Sequence, residues 1–147
     1  MTLEDWLRNG WLVEHRSNRA EIADLLRAAD RDLADCQAAD LSADWRLAIA
    51  YNAALLLGTA ALAASGYRAA REMHHYRTIQ SLAFTVGADS GLITRLDAFR
   101  KKRNISGYER AGSVSKQEVA EMIALASQLR SMLEAWLHQN HPSLAIT

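Results

Sequence analysis

Apolar residues recur every three or four positions along most of the chain, which is the spacing of amphipathic α-helices. The pattern predicts helices over about 3–15, 18–36, 43–65, 70–86, from 90 into a basic stretch, and 116–140. Small residues fill the third of these helices, so it is predicted to lie in the centre, where it allows close approach of its neighbours. Its predicted stripe is Trp45, Ile49, Asn52, Leu55, Leu56, Thr59 and Leu62.

Helix boundaries are indicated by capping residues. Asn18 with Glu21, and Ser115 with Glu118, have the spacing of a capping box, in which the two side chains bond each other's backbone N–H groups. Gly66 is predicted to end the central helix. No stretch shows convincing alternation with period two, so strands are not expected.

These elements predict an all-α fold, an antiparallel up-and-down bundle of four main helices plus one or two short helices, with residues 1–147 in a single domain. Pro142 cannot continue a helix, so residues 141–147 are predicted to form a flexible tail. The longest apolar run, from Ala53 to Ala64, is too short and alanine-rich to span a bilayer. The N-terminus carries acids where a secretory signal carries bases. No membrane contact and a cytoplasmic location are therefore expected.

The net charge of zero conceals an asymmetry along the chain. Residues 1–44 contain ten acids and five bases, whereas residues 45–147 contain seven acids and twelve bases. The densest basic stretch is Arg100-Lys101-Lys102-Arg103. Such a patch attracts phosphate groups, but it is equally typical of the charged last turn of a helix, where cations oppose the helix dipole. Charge alone leaves both interpretations open.

Several kinds of chemistry find no support in the sequence. Cys36 is the single cysteine, which excludes an internal disulfide and a multi-cysteine metal site. His74 and His75 are adjacent, so on a helix they point about a third of a turn apart and cannot chelate one ion from the same face. Neither a nucleophile elbow nor a phosphate-binding loop motif is present. No metal and no cofactor are predicted, and His75 is either a buried histidine or an RNA-facing base.

The stretch from Arg100 to Tyr108 has residue types that suit a phosphate group. An arginine can bind two phosphate oxygens at once, an asparagine can donate from its amide, and a tyrosine can donate or stack on a base. The predicted nucleic-acid-binding set is Arg100, Lys101, Lys102, Arg103, Asn104 and Tyr108.

The pattern Arg103-Asn104-x-x-x-Tyr108, before a capped final helix, resembles the HEPN family of small helical bundles. The segments Tyr51-Asn52-Ala53-Ala54, Gly66-Tyr67-Arg68 and His74-His75 are also similar to members of that family, and the resemblance covers about residues 17–140. It implies a HEPN-like homodimer in a toxin–antitoxin, defence or stress system. A cognate antitoxin or a nucleotidyltransferase is an implied partner.

The family motif is an Arg, often followed by Asn, then four to six residues and a His, and paired motifs form the cleft of metal-independent ribonucleases. The corresponding positions here hold Tyr108, Glu109 and Arg110. An unperturbed tyrosine is far less suited than histidine to activate a ribose hydroxyl. The first hypothesis is therefore an RNA-binding or partner-binding protein without efficient nuclease activity.

Two alternatives stay open. In the first, the chain is a metal-independent endoribonuclease in which Arg103 holds the phosphate and Tyr108 or His75 assists. In the second, it is a purely structural helical adaptor.

Overall fold

The computed structural model describes residues 1–108 and 112–145, apart from the side chains of residues 104–108. Helix accounts for 69% and strand for 4% of the described structure, which confirms the all-α prediction at this level. In this part of the chain the elements are α1 (Leu3–Arg8), β1 (Leu12–Glu14), α2 (Arg19–Asp35), α3 (Ala43–Ala64), β2 (Tyr67–Ala69), α4 (His74–Gln80), a 3-10 turn (Ser81–Ala83), α5 (Ser90–Tyr108) and α6 (Lys116–Asn140).

Helix α3 occupies the centre of the fold, as predicted. It contacts α2, α4, α5, α6 and β2. Its length and a mean hydropathy of 1.8 would suit a membrane span, but 72% of that apolar window is buried inside the protein, as in the core helix of a soluble domain. The alanines of α3, among them Ala50, Ala60 and Ala61, are fully buried and let the neighbouring helices approach closely.

The stripe predicted for α3 is partly wrong. Leu55 and Leu62 are buried, but Trp45 is 63% exposed and Asn52 is also exposed. Asn52 Nδ2 donates to Asp32 Oδ2 of α2 at 2.8 Å. The prediction failed because α3 is apolar on nearly every face, so the spacing of its larger side chains does not identify the buried face.

The prediction that strands are absent is also wrong. Strands β1 and β2 pair antiparallel, with Leu12 opposite Ala69 and Glu14 opposite Tyr67. The first helix ends at Arg8 and not near His15, because Gly10 has a left-handed backbone (φ +79°) that turns the chain. Each strand has only three residues, which is too short for alternation to be recognised in the sequence.

Helix α4 is shorter than predicted. It begins at His74 and not near Ala70, because Ala69 belongs to β2 and Met73 has a left-handed backbone with φ 55°. Within the part of the chain that the structure describes, no side chain caps its N-terminus. After Gln80 the chain tightens into the 3-10 turn, so the expected continuation to Val86 is wrong as well.

Helix ends with strong local signals lie where they were predicted. Helix α6 runs from Lys116 to Asn140, and its capping box is complete, with Ser115 N to Glu118 Oε1 at 2.9 Å and Glu118 N to Ser115 Oγ at 3.0 Å. Asn18 caps α2 by accepting from the Glu21 N–H at 2.8 Å. The Glu21 carboxylate does not complete that box but bonds His15 Nε2 at 2.7 Å.

Two further predictions concern the C-terminal half. Helix α5 continues to Tyr108, so Arg100 to Arg103 is not its last turn. Beyond α6, Ala145 is buried and Leu144 packs on the core. These two residues belong to the described part of the predicted tail, and its flexibility stays a prediction.

Candidate ligand-binding site

Helices α3, α4 and α5 contact one another in pairs and bring four side chains together. The ring centroids of Tyr51 and His75 lie 6.1 Å apart, and Arg103 Cζ lies 5.5 Å from the centroid of the Tyr51 ring. Arg100 lies on the same face of α5, because residues three apart are neighbours on a helix. We call Tyr51, His75, Arg100 and Arg103 the Arg103 cluster. It contains two of the predicted catalytic candidates, Arg103 and His75.

The His75 imidazole has a changed proton affinity. Burial lowers its pKa below the ordinary value, and the positive charges of Arg103, His74 and Arg100 lower it further. The ring is therefore neutral at neutral pH. A neutral imidazole has one nitrogen able to accept a proton or a hydrogen bond.

Tyr51 is the member of the cluster that sequence reasoning did not select. Its side chain is only 1% exposed, and its hydroxyl has no hydrogen-bond partner among the described residues. Burial raises the pKa of Tyr51 to about 12, although Arg103 and Arg100 act in the opposite direction. The hydroxyl is thus a protonated donor without an acceptor. The sequence signal that could have identified Tyr51 is its position as a tyrosine within a run of alanine and leucine.

The predicted basic stretch divides between two environments. Arg100 Nε donates to Asp97 Oδ1 at 2.7 Å, and its Cζ lies 5.5 Å from the Tyr76 ring of α4. Lys102 Nζ instead lies 3.5 Å from Glu118 Oε2, beside α6. Arg100 and Arg103 therefore face α3 and α4, whereas Lys102 faces α6.

Three residues of the predicted nucleic-acid-binding set remain: one has an exposed side chain, and the side chains of the other two lie outside the described part of the structure. Lys101 is exposed, with its Nζ 3.7 Å from Asp97 Oδ2. Asn104 and Tyr108 belong to α5, but their side chains lie outside the described part of the structure. Their proposed contacts with phosphate or base stay predictions.

Local conformation explains why these side chains meet. His75 and Thr78 are three residues apart on α4 and face α3, where Tyr51 and Gly58 are seven residues apart and share a face. A Cβ added at Gly58 would lie 2.8 Å from Thr78 Cγ2, so the two helices are in close contact at this point. Within residues 1–108 and 112–145, no group of three or more His, Cys, Asp or Glu side chains is arranged to hold a metal.

Comparison with protein-family models, curated proteins and solved structures gives no match. The resemblance to the HEPN family stays a prediction.

Proposed function

We propose that this protein is a HEPN-like, homodimeric component of a toxin–antitoxin, defence or stress system, and that it binds single-stranded RNA at the Arg103 cluster. The observation that carries the proposal is the convergence of the Arg103 guanidinium with the His75 imidazole and the Tyr51 ring, from three different helices. A surface charge run with no binding role needs no such convergence.

Each group of the cluster has a property suited to an RNA phosphate. A guanidinium forms two parallel hydrogen bonds to phosphate oxygens, and the Tyr51 ring holds the Arg103 cation through a cation–π contact. Arg100 adds positive charge, although Asp97 offsets part of it. Tyr76 is half-buried beside Arg100 and provides an aromatic surface against which a base can stack.

The binding test uses a short, fluorescently labelled single-stranded RNA and measures its anisotropy at several salt concentrations. Affinity is expected to fall as salt rises, because binding releases counterions from the phosphates. Arg103→Ala is expected to weaken RNA binding about tenfold or more, because the variant loses a hydrogen bond between charged groups. The matched control is Arg27→Ala at an exposed position of α2, outside the predicted nucleic-acid-binding set, with a change of about twofold or less.

Two results would contradict RNA binding at this site. Affinity that is independent of both salt and Arg103→Ala removes the proposal. Absence of RNA binding in a strictly monomeric protein favours the structural adaptor, whereas absence of RNA binding in a stable dimer favours a protein partner. Sedimentation equilibrium of the full chain distinguishes these cases and tests the proposed homodimer.

A second candidate function is that of a metal-independent endoribonuclease. The observation that favours it is that the His75 and Arg103 side chains both lie against the Tyr51 ring. The lowered pKa of His75 leaves its imidazole able to accept a proton at neutral pH. His75 would take the proton of a ribose 2′-hydroxyl, and the oxygen would attack the adjacent phosphorus. The 5′-oxygen would leave and take a proton from water, giving a 2′,3′-cyclic phosphate and a 5′-hydroxyl. Arg103 would stabilise the charge that develops on the phosphate oxygens.

The cleavage test follows a labelled oligonucleotide and a copy with 2′-deoxyribose throughout. Cleavage by His75 predicts a rate that rises with pH through the lowered pKa of His75 and then levels off near neutral pH. Loss of cleavage in His75→Ala but not in Tyr108→Phe assigns the base to His75, and the reverse assigns it to Tyr108. Equal products from wild type and Arg103→Ala, or cleavage of the deoxyribose copy, would contradict this function.

A further inference from the structure

Helix α4 packs closely against α3 at a glycine, Gly58. The missing side chain of Gly58 leaves room for the Thr78 methyl group, because a Cβ at residue 58 would lie 2.8 Å from Thr78 Cγ2 and 3.5 Å from the Thr78 carbonyl oxygen. Gly58 costs the helix about 1 kcal/mol compared with alanine. The rest of α3 is rich in alanine, so a glycine here indicates a requirement for space.

Thr78 has little freedom to give way. It is 1% exposed, and its Oγ1 donates to the His74 carbonyl oxygen at 2.8 Å. Its own carbonyl accepts from Ser81 Oγ at 2.7 Å. An added methyl group at Gly58 would therefore move α4 as a unit, because the Thr78 side chain is fixed to the backbone of the same helix.

The N-terminal end of α4 does little to hold the helix in place. No described side chain caps it, and the chain enters it through the left-handed Met73. Contacts with neighbouring elements therefore determine where α4 lies: Thr78 and Ile79 are buried against the core, and Arg77 Cζ lies 3.7 Å from the centroid of the Trp11 ring. His75 is one turn before Thr78 on the same face, so the distance between α3 and α4 at Gly58 determines how deeply His75 enters the Arg103 cluster.

We propose that Gly58 is a positioning residue for the ligand site, and that its contact with Thr78 places His75 against Tyr51 and Arg103. This inference rests on the proposed function only in taking the Arg103 cluster to be the ligand site. Gly58 touches no ligand; it acts through the position of α4.

The experiment compares wild type with Gly58→Ala, Thr78→Ser and the double variant Gly58→Ala/Thr78→Ser. Serine lacks the methyl group that meets residue 58 but keeps the hydroxyl that donates to His74. NMR of labelled imidazole gives the pKa of His75, and anisotropy gives the affinity for single-stranded RNA.

We expect Gly58→Ala to raise the pKa of His75 toward its ordinary value, because the ring becomes more hydrated and lies farther from Arg103. RNA affinity is expected to fall by about threefold to tenfold, since a small displacement of a positioned group weakens its contacts. The double variant is expected to recover both values, and Thr78→Ser alone is expected to resemble wild type.

A His75 pKa that is unchanged in Gly58→Ala, or that is not recovered in the double variant, overturns the inference. Should Gly58→Ala fail to fold, recovery of both folding and the His75 pKa by Thr78→Ser supports it, and failure to recover overturns it. A third outcome separates the two proposals. If wild type binds no RNA, but the His75 pKa rises in Gly58→Ala and recovers in the double variant, the proposed function is contradicted and the positioning role of Gly58 is supported.

Discussion

The two sides of α3 differ in how well they satisfy the ordinary rules of packing. Toward α2 and α6, the core consists of fully buried aliphatic side chains such as Leu129 and Leu133. At the surface, an ion pair joins α6 to α2, with Arg130 Nε 2.8 Å from Asp30 Oδ1. Toward α4 and α5 lie the Tyr51 hydroxyl and the start of α4, and the described residues offer neither a hydrogen-bond partner to the hydroxyl nor a side-chain cap to the helix. Departures of this kind concentrate at functional sites, so the second side is the better place to look for a ligand.

The largest effect is expected on the well-packed side. Leu129→Ala removes a fully buried side chain from α6 and should lower the free energy of unfolding by about 2–5 kcal/mol through lost burial and a residual cavity. Urea denaturation followed by circular dichroism measures it, with Leu41→Ala at an exposed position as the control. A loss below about 1 kcal/mol would mean that this side is not tightly packed.

The next effect concerns proton binding by Tyr51. Its pKa is about 12 in the folded protein against 10.0 ordinarily, so the folded state holds this proton between pH 10 and 12 while the unfolded state releases it. The resulting stability is fully present below pH 10 and is lost as the pH rises toward 12, up to about 3 kcal/mol. Titration at 295 nm should show one of the four tyrosines ionising late.

Tyr51→Phe is the matched variant for this titration. It should remove the late step, and the stability of the variant should fall less between pH 10 and 12 than that of wild type. Four tyrosines that all ionise near pH 10 in the folded protein would contradict the burial of the Tyr51 hydroxyl.

A smaller effect is expected at the entrance to α4. Met73 is 54% exposed and has φ 55°, a conformation that costs a side-chain-bearing residue about 1–2 kcal/mol. Met73→Gly removes that cost but adds flexibility to the unfolded chain, so a net gain of about 0.5–1 kcal/mol in stability is expected. Thermal unfolding measures it. Met73→Ala keeps the backbone cost and should show no gain; equal gains in both variants would refute the strain.

The smallest effect is expected at the ion pair between α2 and α6. Asp30→Ala breaks the ion pair with Arg130, and because Asp30 is half-exposed the expected loss is only about 0.2–1 kcal/mol. Denaturation at low and at 1 M salt should show this loss shrinking as salt screens the charges. A loss that does not change with salt would point to packing by the arginine stem and not to charge.

The elements that could be predicted from sequence are those with strong local signals. Helix α6 was located at both ends because Ser115 and Glu118 cap it and Pro142 follows it. Strands β1 and β2 were missed because each is stabilised by a partner more than fifty residues away, with little local pattern of its own.

The candidate site was predictable only as a set of residue types. Arg103 and His75 stand out by their chemistry, but their meeting depends on how α4 and α5 pack against α3. The burial of Tyr51 and the space at Gly58 also depend on tertiary packing. On a helix as uniformly apolar as α3, periodicity does not show which side chains face inward, as the exposed Trp45 and Asn52 illustrate.

The alanine content of α3 also governs which substitutions the protein can tolerate. Ala50, Ala60 and Ala61 have no exposed surface, so a larger residue at any of them must push a neighbouring helix away from the centre. The outer strip of the same helix, with Trp45 and Asn52, is free of that restriction. Sequence variation compatible with this fold should therefore collect on one narrow strip of its most hydrophobic helix, while the buried alanine positions accept little besides alanine, serine or glycine.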